Sequence, residues 1–312
     1  MNNVMVSIYV TTYNHENYIV RALDSILMQK TQYTYEVFVG EDCSTDNTRN
    51  VLQEWERKHP GKFQIIYRET NTYNTDRPNG LDLKLRCKGK YIICLEGDDF
   101  WTDPEKLEKQ VTFLETHPEY YAVAHNCTVV GKDSFPNGET YPECKDHEYT
   151  LRHFASNILP GQLTTLLSRN YMTDEKFDKS IVLKRVGPGD RNIYFSIASQ
   201  GKIYCMQESM SAYRHITTEG SSFSATNVYS YASEQGAMLH RLDFARRLGN
   251  PESVFCAEFQ FFMHVRHAFF KRIISLRKTI QELNKIEKWY SYLPVMLKRD
   301  VRRYITHQRP YV

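Results

Sequence analysis

KYIICLEGDDFWTD, residues 90–103, is the stretch that decides the fold. Tyr91–Leu95 is an apolar run of one strand's length, and it drives straight into two adjacent carboxylates, Asp98 and Asp99. Open α/β sheets bind ligands just outside the carboxyl ends of their strands. Mg²⁺ and Mn²⁺ prefer oxygen donors and take one or two carboxylates together with substrate phosphates. A strand that ends in paired acids therefore suggests a metal-phosphate site. The plainer alternative is a solvated acidic loop, with Asp103 as N-cap and Pro104 as the first residue of the next helix. That role accounts for Asp103 and leaves Asp98 and Asp99 unexplained.

Outward from this segment, strands alternate with helices, the pattern of a mostly parallel sheet covered on both faces. Met5–Val10 reads as the first strand and His15–Gln29 as an amphipathic helix, with Ile19, Leu23 and Ile26 at helical spacing. Tyr35–Gly40 and Lys62–Tyr67 are further strands, Asp46–His59 a helix between them, and Leu81–Cys87 a short helix after the Asn71–Gly80 loop. Right-handed crossovers bring Thr11, Asp42 and Asp98 to one edge of the sheet. Three strand ends thus converge on one cleft.

Composition adds bounds. The 312 residues are 41% hydrophobic and 25% charged, ordinary globular values. Seven scattered cysteines without a CxxC pair suit a reduced, cytoplasmic setting. The opening MNNVMVSIYVTTYN lacks the basic start and cleavage site of a signal peptide, and no apolar run reaches the roughly 18 residues of a spanning helix. Charge is uneven: residues 226–312 carry 15 Lys and Arg against 7 Asp and Glu, leaving 25 against 30 for residues 1–225.

The strand ends suit a nucleotide. Thr11, Thr12, Tyr13 and Asn14 offer hydroxyls, an aromatic face and backbone amides near a helix start, a place for base and ribose. In GEDCSTDNT, residues 40–48, the Asp42 carboxylate is placed to accept from a base N–H and a ribose hydroxyl, while Asp46 reads first as a helix cap.

Together these elements resemble family 2 glycosyltransferases of the GT-A, Rossmann-like fold, over roughly residues 1–220. The resemblance rests on TTYN at 11–14, GEDCSTDNT at 40–48 and EGDDFWTDP at 96–104. Glu41 and Glu96 stand where that family often has aspartates, so Asp42 and the Asp98–Asp99 pair carry more weight. Cys43 replaces a frequent glycine, which implies a turn without positive φ; it reads as a small spacer before a reactive thiol.

What the resemblance implies about catalysis follows from VGPGD, residues 186–190, ahead of an apolar helix. Asp190 is the expected general base for an acceptor hydroxyl and is compatible with a capping role. Tyr213-Arg214-His215 resembles a segment that closes over the pyrophosphate, making His215 a third metal ligand beside Asp98 and Asp99 and bringing Arg214 or the Ser221-Ser222 loop near phosphate oxygens. Gly220-Ser221-Ser222 reads as a lid. The expected reaction moves a sugar from a nucleotide-diphosphate donor, a UDP-sugar first, onto a glycan or lipid-linked oligosaccharide. Asp98 holds donor and metal, Mn²⁺ or Mg²⁺ serves as cofactor, and the anomeric centre inverts. Bacterial surface-polysaccharide assembly is the implied setting.

Residues 226–312 form a basic, mainly helical extension interrupted near Gly249-Asn250-Pro251 and Pro294. Val265–Ile280 reads as one basic amphipathic helix with Phe269, Ile273, Leu276 and Ile280 on one side. Two readings stand: packing on the catalytic domain, or peripheral contact with the cytoplasmic face of a membrane. No nucleic-acid module accompanies the charge. The rivals are a non-catalytic nucleotide-sugar or glycan-binding module of the same fold, and a nucleotidyltransferase. TTYNHENY lacks the glycine-rich basic loop that the nucleotidyltransferase needs.

Overall fold

β-Branched runs and amphipathic segments alternate through the first 130 residues, and in the computed structural model they build one sheet with helices on its faces. The structure describes residues 4–141, 145–184, 186, 189–216 and 230–298. The chain divides into two compact units: Met1–Arg185 with Gly189–Val228, and Tyr229–Val312 with Val186–Pro188.

The first unit begins with β1 (Val6–Thr12), α1 (Ile19–Leu27), β2 (Tyr35–Glu41), α2 (Thr48–Lys58), β3 (Gln64–Tyr67), α3 (Asn79–Arg86) and β4 (Tyr91–Glu96). It continues with β5 (Phe100–Trp101), α4 (Lys106–Thr116), β6 (Tyr120–Val130), β7 (Glu148–Tyr149), α5 (Leu151–Ala155) and β8 (Leu167–Arg169). It closes with α6 (Ser180–Leu183), α7 (Gly189–Gln200) and β9 (Lys202–Arg214). The strand order is β3-β2-β1-β4-β8-β6-β9-β5, with β7 beside β9. Strands β3, β2, β1 and β4 are all parallel, as short βαβ crossovers require. The other half is mixed: β8 runs antiparallel to both β4 and β6, and β6 and β9 are parallel.

One face of the parallel half carries Ile8, Val10, Val37, Val39, Ile93 and Leu95. They pack with Ile19, Leu23 and Ile26 of α1, Leu52 and Trp55 of α2, and Leu107 and Val111 of α4. The strand period of two sends Tyr9, Ile92 and Cys94 to the opposite face, where they line a small cavity with Ile193 of α7. Core burial therefore leaves the carboxyl edge of β1, β2 and β4 as the place where polar side chains collect.

Several sequence boundaries shift for local reasons. α1 begins at Ile19 rather than His15, because Tyr18, at φ −124°, lies outside the helical range and forms the N-cap. α4 begins at Lys106, two residues beyond Pro104, although the Asp103 carboxylate still accepts the Glu105 N–H at 2.8 Å.

Beside β2, Asp82 of α3 is buried and paired with Arg68 at 2.5 Å, Arg77 at 2.6 Å and Arg86 at 2.9 Å. Burial alone would raise its carboxyl, but hydrogen bonds from Arg68 and Arg86 outweigh it and hold the group down at about 2. A depressed folded pKa stabilises above the unfolded value near 4 and loses that contribution as pH falls through 2. Asp82→Asn is expected to remove about 2 kcal/mol at pH 7 and to narrow its gap to wild type between pH 4 and 2, as read from urea melts across that range.

The second unit is helical: α8 (Tyr231–Leu248), α9 (Pro251–Phe270) and α10 (Leu276–Leu283). Gly249, at φ 69°, ends α8, and Asn250 accepts the Glu252 and Ser253 N–H groups to start α9 with Pro251 at its first turn. Val265–Ile280 is not one helix. α9 stops at Phe270, Arg272 turns left-handed at φ 57°, and Ser275 caps α10 through the Lys278 N–H.

Candidate active site

Strand register assembles the site. Thr12 of β1 pairs with Glu41 of β2, and Thr11 pairs with both Gly40 of β2 and Glu96 of β4, so three strand ends lie side by side. Gly97 makes the close approach possible. A Cβ there would lie 2.8 Å from His15 Nδ1 and 2.9 Å from Thr12 Oγ1.

The two acids after β4 take different surroundings. Asp99 is 1% exposed; its Oδ1 accepts the Arg214 N–H at 2.8 Å and its Oδ2 the Thr164 hydroxyl at 2.8 Å. Burial, then the charges of Asp98 and Glu96, push this carboxyl well up against those two donors. Asp98 is partly exposed, with His15 Nε2 3.8 Å from its Oδ2. His15 also meets Thr12 Oγ1 through Nδ1 at 3.2 Å. Sequence reasoning passed over His15, although it adjoins the TTYN motif.

Arg214 organises this loop rather than standing ready for phosphate. Its guanidinium donates to the carbonyls of Asp98 at 2.9 Å, Gly131 and Lys132, donates to the Ser134 hydroxyl, and lies 4.0 Å from the Tyr18 ring centroid. His215 pairs through Nδ1 with Glu139 at 2.5 Å. Among the described residues no three His, Cys, Asp or Glu side chains are grouped to hold a metal, so Asp98, Asp99 and His215 do not form a cluster. Asp98 still suits the sparser arrangement of one or two carboxylates completed by phosphate oxygens.

On the nucleotide side, Asp42 is 7% exposed and its Oδ1 accepts the Thr72 N–H at 2.9 Å and hydroxyl at 2.6 Å. Its other oxygen accepts nothing from the described residues. Thr11 and Tyr13 are partly exposed, and Thr12 between them is buried, its carbonyl accepting the Asp42 N–H at 3.0 Å. Glu41 turns inward, fully buried, onto the Ser44 N–H and Arg49.

The STD segment clamps the first loop. Asn14 Oδ1 accepts the Thr45 N–H at 2.8 Å, the Asn14 N–H reaches Ser44 Oγ at 3.0 Å, and Asp46 accepts from Glu16 and Thr48. Cys43 corrects the sequence reading: its φ is 58°, so the turn does need the left-handed region that the frequent glycine supplies.

Asp190 sits in the first turn of α7, partly exposed, with Oδ1 accepting the Arg191 N–H at 2.7 Å. Glu96 links it to the acid loop. Glu96 touches solvent but is hemmed in by the chain; burial first, then the charges of Asp98 and Asp190, raise its carboxyl to about 8 against the pull of Lys84. Asp98, Glu96 and Asp190 thus share one electrostatic neighbourhood. Gly187, Pro188 and the Gly220-Ser221-Ser222 segment lie outside the described residues.

The model of the glycosyl transferase family 2 matches residues 7–171, which include the β1, β2 and β4 strand ends and their loops but not Asp190, Arg214 or His215. The chain belongs to this family. As a family 2 glycosyltransferase it has recorded relatives. An uncharacterised Mycobacterium tuberculosis protein is 32% identical over 218 residues, 67% of this chain and 58% of that protein. The putative teichuronic acid biosynthesis glycosyltransferase TuaG of Bacillus subtilis is 29% identical over 168 residues, 53% of this chain and 62% of TuaG. The chain therefore spans less than two thirds of the length of these relatives. Among solved structures, S. aureus TarS 1–349 in complex with UDP-GlcNAc superposes with a TM-score of 0.62 at 20% identity, covering 92% of this chain and 80% of that one. The Pyrobaculum calidifontis mannosyltransferase PcManGT, in complex with GDP-Man and Mn²⁺, gives 0.50 at 17% identity, covering 97% and 88%. These likenesses establish the GT-A type of α/β fold for this family 2 glycosyltransferase.

Proposed function

We propose that the chain transfers a sugar from a UDP-sugar to a hydroxyl of a glycan or lipid-linked glycan, with inversion, in bacterial surface-polysaccharide assembly at the cytoplasmic side. The observation that carries the reading is the register that aligns Thr11 with Gly40 and Glu96 and Thr12 with Glu41, with Asp42 one residue and Asp98 two residues beyond the ends of β2 and β4. Residues 1–225 are the catalytic domain in this reading, and 226–312 a basic helical extension. Relatives whose names place them in teichuronic acid and poly(ribitol-phosphate) modification support the polysaccharide setting.

Each residue has a task. Asp42 and the Thr11–Tyr13 turn hold the nucleoside, the free Asp42 oxygen accepting its donors. Asp98 would hold Mn²⁺ or Mg²⁺, which when bound neutralises the departing diphosphate as a Lewis acid. Asp190 accepts the acceptor hydroxyl's proton as oxygen attacks the anomeric carbon from the face opposite the leaving nucleotide. Arg214 and Thr164 keep the acid loop rigid by holding Asp99. Asp190, in the first turn of α7 and within the field of Glu96, favours an enzyme over a non-catalytic binding module of the same fold.

Thermal-shift and calorimetric titrations of the full chain with UDP-, GDP-, dTDP- and CDP-sugars, with and without Mn²⁺, test this reading. Ligand that binds only the folded state raises the midpoint, so a UDP-sugar is expected to do so in a metal-dependent way. Silence with every nucleotide would sink it.

A further inference from the structure

The end of α9 and the start of α10 carry an inverted pattern. An ordinary surface helix buries its apolar stripe and shows its charges to water. Here the inner positions of α10 are Thr279, Glu282 and Leu283, while Leu276 is 60% exposed and Ile280 51%. Phe270 at the end of α9 is 70% exposed and Ile273 in the connecting turn 45%. The turn is not a loose loop. The Arg272 N–H reaches Phe269 O and the Ile273 N–H reaches Ala268 O, each at 2.9 Å, a Schellman closure whose left-handed position is normally glycine and here is Arg272. Ser275 then caps α10 at once, so four apolar side chains stand out on a short, hydrogen-bonded corner.

Charge says what covers it. Residues 266–280 hold Arg266, Lys271, Arg272, Arg277 and Lys278 and not one acid. The carboxylate nearest in sequence, Glu282, is 1% exposed and already paired with Lys278 and Lys285. Residues 266–280 therefore carry a net positive charge. Long cationic side chains interleaved with exposed apolar ones suit the interface of an anionic bilayer, where stems lie along hydrocarbon and heads meet lipid phosphates. A protein partner would need a larger, flatter face of roughly 800 Å².

We propose that this corner is a membrane-docking tip, in which Phe270, Ile273, Leu276 and Ile280 enter the surface of an anionic bilayer and the flanking cations bind its headgroups. The inference goes beyond the donor chemistry and stands apart from it.

Co-sedimentation of the full chain with vesicles of phosphatidylcholine, with and without 30% phosphatidylglycerol, tests it. Binding is expected only to the anionic vesicles and is expected to weaken at high salt. Phe270→Ser/Ile273→Ser/Leu276→Ser should lower the partition coefficient at least tenfold, and Lys271→Gln/Arg277→Gln about twenty-five-fold, near fivefold per charge. Both variants should melt like wild type, since the substituted side chains are exposed. Equal sedimentation of wild type and the serine variant, or no binding to either vesicle, would overturn the proposal. So would light scattering that finds a wild-type dimer and a monomeric serine variant, because the face would then be covered by a second copy.

Discussion

Asp190→Asn is expected to lower sugar transfer by about 10²–10⁴-fold and to leave nucleotide affinity unchanged within about twofold. The split follows from position. Asp190 lies in the first turn of α7, outside the β1 and β2 turns proposed to hold the nucleoside, and its Oδ1 accepts the adjacent Arg191 N–H. An asparagine keeps that hydrogen bond and removes the basic oxygen. The measurement is UDP release with acceptor present, alongside calorimetric binding of UDP. A variant that turns over at the wild-type rate would remove Asp190 from the mechanism. One that lost UDP affinity instead would make it part of the donor site.

The adjacent acids after β4 separate in opposite directions. Asp98→Asn should leave the melting midpoint within about 2 °C and abolish the Mn²⁺-dependent part of the nucleotide shift, because Asp98 is partly exposed and its Oδ2 lies 3.8 Å from His15 Nε2, beyond hydrogen-bond distance. Asp99→Ala strands the buried Arg214 N–H and Thr164 hydroxyl, two donors whose loss of a partner costs about 1–3 kcal/mol each. That corresponds to a fall of roughly 5–15 °C for a unit of this size. Scanning calorimetry of both variants with and without UDP and Mn²⁺ reads the contrast. Equal melting of the two would mean that Asp99 is not structural; an intact metal response in Asp98→Asn would take the cation elsewhere.

Much of this was legible before any coordinates. The apolar run of Tyr91–Leu95 and its neighbours at strand length specify a buried parallel sheet, because only strands covered on both faces stay apolar without alternation. Chirality of the crossovers then puts TTYN, GEDCSTD and EGDD on one edge. What could not be read was the partner of each polar group. Asp98 and Asp99 are chemically identical neighbours, and only the arrival of Arg214 and Thr164, 115 and 65 residues away, makes one of them a buried acceptor. The hinge in 265–280 was equally hidden, since helical periodicity continues across a turn that a left-handed Arg272 breaks.

The sequence by itself determined the fold, the cleft and the family, because periodicity, strand length and crossover handedness are local properties of the chain. Tertiary structure alone decided which carboxylates are buried and hydrogen-bonded and which stay open to solvent, and which apolar side chains stay outside. Burial and hydrogen-bond saturation depend on groups that meet only when the chain has folded.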